Sequence, residues 1–150
     1  MREGLGSAVM IAIIAVFIAI VSAYLAFNVN YMKAFNMKNR IVDYFNRYEG
    51  KCTNTANECY KKIEEYAKSI GYEPLTMNCS GGYGSSKYFC YRERTYYESS
   101  ESPDVNDIHQ GSYYEIVTKV NINIPIVKNV FSGIGVFNVK GNTKVFNNKK

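Results

Sequence analysis

The sequence predicts an α+β fold. A long N-terminal helix, apolar in its first half and amphipathic in its second, packs on a roughly four-stranded antiparallel sheet, with one additional short helix. Three observations carry this expectation. Residues from Ala8 to Phe27 contain no charge, no proline and no glycine. From Asn28 to Tyr48 a helical spacing of apolar side chains continues, again without proline or glycine. The C-terminal third alternates apolar and polar residues in two stretches, which is the period of half-buried strands.

The apolar stretch comes first. At 1.5 Å per residue, Ala8 to Phe27 reaches about 30 Å, the hydrocarbon thickness of a bilayer. A core helix of that length would keep one polar face, and this one is apolar all round. A cleavable signal peptide, a plain single-pass anchor and an anchor that doubles as a packing helix all fit so far. The apolar region is longer than the usual signal-peptide core. The residues beyond Phe27 favour the third reading: Tyr31, Ala34, Ile41, Phe45 and Tyr48 recur at three- and four-residue steps, broadened by Phe35 and Val42 and interrupted by Lys38. This is an amphipathic helix running straight out of the apolar one, ended by Gly50. One helix from about Leu5 to Tyr48 is expected. Residues 1–30 then form a membrane anchor and residues 31–150 a separate α+β domain.

A second helix is expected from about Ala56 to Ile70. Thr55 and Glu58 have the spacing of a capping box, Cys59, Ile63, Tyr66, Ala67 and Ile70 share a face, and Gly71 supplies the stop. Further on, two apolar runs flank the glycine-rich "GGYGSS" and read as a hairpin centred between Gly84 and Ser85, with Cys79 opposite Cys90. Residues 96–111 are polar and read as an exposed loop. "YYEIVTKVNINIP" then sets Tyr114, Ile116, Thr118, Val120, Ile122 and Ile124 on one face, with Val117 the exception on the other. Pro125 opens a short helical turn. The closing strand sets Phe137, Val139, Gly141, Thr143 and Val145 on one face, with Gly141 a bulge or the start of a Gly-Asn turn.

The chain carries four cysteines: Cys52, Cys59, Cys79 and Cys90. Their intervals do not match the close pairs of structural zinc sites, whereas an even number behind an apolar N-terminal segment fits disulfides and an oxidising compartment. Of three connectivities, 52–59 staples the corner between the helices, and 79–90 joins residues facing each other across the hairpin. Orientation is contested by charge. Lys33, Lys38, Arg40 and Arg47 come after the apolar run, which by the positive-inside tendency would hold the domain in the cytoplasm. The cysteines place it outside, and the expectation goes with them: a single-pass cell-membrane protein with its C-terminal domain extracytoplasmic.

Formal net charge is +5, but the cations are scattered. No basic stripe of the kind that binds nucleic acid is present. The lone His109 next to Asp107 does not make a metal site, and "DVND" lacks the glycine and terminal glutamate of an EF-hand. "GGYGSS" opens a strand rather than a helix, so it is not a phosphate cradle. No nucleophile–base pair can be composed. The reading is therefore no enzyme, no cofactor and no evident small-molecule substrate. Fourteen Tyr and eight Phe with no Trp are unusual. Tyr83, Tyr96, Tyr97 and Tyr113 are candidate partner-contact residues, because tyrosine tolerates a wet interface. Ala8, Ala12, Ala15, Ala19 and Ala23 recur every three or four residues and would let another helix approach closely.

This pattern resembles pilin-type proteins, and within them the TadE-like pseudopilins of tight-adherence, type IV-related pilus systems. The residues carrying the resemblance are "GSAVMIAIIAVFIAIVSAYLAFNVNYMKAF" at the start and "YYEIVTKVNINIPIVKNVFSGIGVFNVKGNTKVF" at the end. It implies a structural role in a pilus or secretion apparatus, with membrane lipid and other pilin-like subunits or secretion-machine proteins as partners. One departure is informative. Pilin precursors carry a Glu five residues after their cleavage glycine; here Gly4 and Gly6 put Val9 and Ile11 there. A minor, priming or anchoring part is implied rather than the main filament subunit. The alternative is a membrane-tethered binding or adhesion module with a Tyr-rich surface.

Overall fold

The structure, a computed structural model, describes residues 2–73, 77–98, 109–121 and 136–147. Helix α1, Arg2–Arg47, is one unbroken helix of 46 residues. Helix α2 is Glu58–Ser69. The strands are β1 (Gly84–Ser85), β2 (Cys90–Glu98), β3 (His109–Asn121), β4 (Val136–Asn142) and β5 (Phe146–Asn147). The sheet is antiparallel in the order β1-β2-β3-β4, and β5 returns to pair with β3. The expected α+β architecture is present, with two very short strands added at the sheet edges. Strand β3 is central, flanked by β2 on one side and by β4 and β5 on the other.

The C-terminal half of α1 crosses the sheet. Ala34, Met37, Ile41 and Phe45 are fully buried against Ile116, Thr118 and Val120 of β3. The Thr118 hydroxyl donates to the Ala34 carbonyl at 3.0 Å, so the central strand is tied to the helix backbone as well as packed on it. Lys38, which breaks the apolar stripe, lays its stem over Gly141 and its ammonium over the Phe35 ring at 4.3 Å. That explains Gly141. It is neither a bulge nor a turn but a regular strand residue opposite Ile116, where a Cβ would stand 2.7 Å from Lys38 Cδ. The helix ends where Gly50, at φ +79°, returns its amide to the Phe45 carbonyl.

Helix α2 packs Cys59, Tyr60, Ile63 and Ala67 into the same core. Its expected capping box does not form. Asn57 is the N-cap and makes no side-chain cap bond. Its amide group instead donates to the Lys51 carbonyl across the corner, 2.8 Å away, and Glu58 pairs forward with Lys62 at 2.7 Å. The corner is closed by the Cys52–Cys59 disulfide, which fixes Cys59 in the first turn and delays helix entry past Thr55.

The second disulfide is Cys79–Cys90, as expected, with Cα atoms 5.7 Å apart. The hairpin register is not as expected. Ser85, not Cys79, faces Cys90, and the tight turn is Ser86–Phe89, closed by the Ser86 amide on the Phe89 carbonyl at 3.0 Å. Burial decides this: a turn there drives Phe89 into the core against Phe45 and Tyr60. The polar loop also proves shorter than expected, since residues 96–98 belong to β2 and 109–111 to β3, paired with each other. The proline-led turn after β3 and the strand positions Ile122 and Ile124 lie outside the described residues.

Tyr72 closes the sheet on its α2 side. Pairing of β2 with β3 stops at Cys90–Val117. Beyond it, the Tyr72 hydroxyl donates to the Lys119 carbonyl at 2.9 Å and accepts from the Lys119 amide at 3.1 Å. Burial pushes its ionisation up to about 12, so it stays a donor at any ordinary pH. A buried backbone group stripped of its partner costs about 1–3 kcal/mol. Tyr72→Phe should therefore lower unfolding stability by about that amount in denaturant titration of the detergent-solubilised chain.

Candidate functional site

Two surfaces emerge. The first is the N-terminal half of α1. It touches nothing else in the described structure, and its large side chains from Val9 to Leu25 are 40–67% exposed. Mean hydropathy there is 2.8 over an eighteen-residue window, so by length and composition this helix can cross a membrane. At about 100° per residue, Ala8, Ala12, Ala15, Ala19 and Ala23 fall within an arc of about 80°. The same arc, carried forward, runs through Asn30 and Met37. The alanine stripe thus runs into the stripe that the sheet covers higher up. The opposite face carries Met10, Phe17, Val21 and Tyr24, all exposed.

The second surface is the side of the sheet turned away from α1. Strand alternation puts Cys90, Arg92, Arg94 and Tyr96 of β2 on it, with Tyr113, Glu115, Val117 and Lys119 of β3 and Asn138 and Lys140 of β4. Val117, the exception to the alternation, is buried because the segment around Asn78–Tyr83 lies over this face, tethered by Cys79–Cys90. Two adjoining hollows of about 210 and 360 Å³ share Tyr83, Val117 and Lys140 as lining.

Four groups interlock at the centre. Arg92 and Glu115 are directly opposite in register, and the guanidinium reaches the carboxylate at 2.6 Å. Arg94 adds a longer contact of 3.5 Å. Tyr83 donates to the same carboxylate at 3.0 Å, and its ring lies under the Arg92 guanidinium at 4.3 Å. Arg92 also donates to the Gly81 carbonyl at 3.1 Å, pinning the segment to the strand. The hydrogen bond from Arg92 holds the Glu115 carboxyl below its ordinary range, with Tyr83 and Arg94 acting the same way.

Three of the four candidate tyrosines, Tyr83, Tyr96 and Tyr113, belong to this outer face. Tyr83 is half-buried inside the polar network, Tyr113 is half-buried opposite Arg94, and Tyr96 is 44% exposed. Tyr97 pairs in register with Gln110, and its side chain lies outside the described residues. Sequence reading missed the Arg92–Glu115–Tyr83 network, because its members are far apart in the chain and only the register of β2 on β3 unites them. Among the described residues no three His, Cys, Asp or Glu side chains converge. Comparison with known proteins finds no matching family model, no matching curated protein and no matching solved structure.

The sign of the pH effect is set by Glu115. Its folded-state ionisation lies below the unfolded value near 4.5. The network's contribution is full above that value and is lost as pH falls through the folded one. Unfolding measured from neutral pH down into the acid range should show a steeper loss of stability in the native chain than in Glu115→Gln.

Proposed function

We propose that the chain is a membrane-anchored, pilin-like structural component of a type IV-related pilus or secretion apparatus, with its disulfide-linked domain outside the cytoplasm. The observation that carries this reading is the single helix α1, whose apolar half stands free while its other half is buried under an antiparallel sheet. No chemistry is asked of it. The helix is stable alone in lipid, and beside like helices its small residues permit close packing. A helix docked on the alanine face would run beneath the partner's own sheet, which couples helix packing to domain placement.

The orientation conflict also has a physical answer in this reading. Each cation after the apolar run is engaged within the domain. Lys33 donates to the Gly71 carbonyl at 3.3 Å, and Lys38 sits over Phe35. Arg40 lies over Tyr66 at 5.2 Å, and Arg47 pairs with Asp43 at 3.2 Å. These contacts leave the charges in place, and the reading follows the cysteines because a large domain translocates largely regardless of local charge. Two disulfides support an oxidising compartment.

A second reading, a tethered binding module, is favoured by the polar face: Lys119, Lys140 and Asn138 border a hollow beside Tyr83. The two readings separate on one variant. The triple substitution Ala12→Leu, Ala15→Leu and Ala19→Leu, expressed in the native host, should abolish in-membrane cross-linking to partner helices while leaving the chain resistant to carbonate extraction. Unchanged cross-linking contradicts assembly through this face.

A further inference from the structure

Exposed apolar surface on α1 does not stop where a bilayer's hydrocarbon would. Val29, Tyr31, Met32 and Phe35 remain 36–55% exposed, within about two turns past Phe27. The sheet meets the helix at this level. Phe27 packs edge-on to Phe137 of β4 at 5.5 Å, and Phe137 is itself 40% exposed. Phe27, Tyr31 and Phe35 then stack in sequence at 6.1 and 6.3 Å, rising along the helix, with the Lys38 ammonium over the last ring. Among the described residues, the lower end of the domain is therefore an aromatic collar, exposed on its outer side, with no linker between it and the apolar half of the helix.

Bilayer dimensions say what fits the collar. If Ala8 to Phe27 fill the hydrocarbon, Tyr31 stands about 6 Å beyond its edge and Phe35 about 12 Å. The headgroup layer on each side is roughly 5–7 Å deep. Phe27, with Phe137 against it, stands at the inner boundary of that layer and Tyr31 near its outer limit, where aromatic rings are favoured, while Phe35 stands about 5 Å beyond it under the cation of Lys38.

We propose that the membrane-proximal end of the sheet domain rests on the lipid surface, with Phe27, Tyr31 and Phe137 embedded among the headgroups. The domain is then seated on the bilayer and fixed in tilt relative to it, rather than carried on a stalk. The inference rests on the membrane span of the proposed function, and the test separates the two.

The chain contains no tryptophan, so single-Trp variants report one position each. Phe137→Trp, Tyr31→Trp, Ile18→Trp and Tyr96→Trp would be made in the full chain and reconstituted into phosphatidylcholine–phosphatidylglycerol vesicles. The lipids carry bromine either near the headgroup end of the acyl chain or near its tip. Ile18→Trp should be quenched best by bromine at the tip. Phe137→Trp and Tyr31→Trp should be quenched best by bromine at the headgroup end, and Tyr96→Trp by neither. Quenching of Ile18→Trp, with Tyr31→Trp and Phe137→Trp as unquenched as Tyr96→Trp, overturns the seating while the span stands. Failure to quench Ile18→Trp removes both. Blue-shifted, unquenched emission from Tyr31→Trp that turns red on diluting the protein in lipid assigns the collar to a second copy and also overturns the inference. Tyr31→Trp keeps the test decisive if the Phe137 variant does not fold.

Discussion

Everything in this structure is organised by the burial of one stripe of α1 under β3. Ala34, Met37, Ile41 and Phe45 disappear completely against Ile116, Thr118 and Val120, and the remaining elements complete the enclosure. Helix α2 closes one flank through Ile63 and Ala67, and the Ser86–Phe89 turn plugs the upper end with Phe89. Below Phe27, which packs on Phe137, the same helix meets nothing else in the described structure. Because no glycine, proline or broken hydrogen bond interrupts α1 between Ala8 and Arg47, the two halves behave as one rod. Whatever holds the lower half therefore sets the position of the domain.

The domain attached to that rod is small, and its core is correspondingly modest. Three devices compensate here. Cys52–Cys59 closes the corner between the helices, and Cys79–Cys90 holds a second layer against the outer face of the sheet. The third is the Arg92–Glu115–Tyr83 network, which anchors that layer from its other end. The outer face is consequently polar but not open, and Val117 can be apolar where the alternation calls for a polar residue. Short disulfide-closed loops contribute about 2–3 kcal/mol each in the chain-entropy account. That is comparable to a buried aromatic anchor, so neither bridge is incidental.

Much of this is legible in the sequence. The long helix can be read because a three-and-four spacing survives from Tyr31 to Tyr48 without a breaker. The disulfide pairing can be read because each bridge spans a short segment. The failures are equally physical. Glycines in "GGYGSS" signal a turn locally, whereas burial of Phe89 moves the turn on to Ser86–Phe89. The capping box is overridden by the geometry of the Cys52–Cys59 corner. Tyr72 carries no local signal at all, since its role shows only once β2 stops short of Lys119. The network on the outer face is invisible for the same reason: register, not sequence distance, brings Arg92 to Glu115.

The placement of the domain depends most on the rod being unbroken where it leaves the apolar segment. Backbone amide hydrogen exchange of the full chain in lipid nanodiscs reads this directly across Asn28–Lys33, the stretch between the free apolar half and the first buried turn. Protection there as strong as in the helix turns on either side is the predicted result. Rapid exchange confined to Asn28–Lys33 would mean a hinge, and a domain free to swing from its anchor would contradict the account.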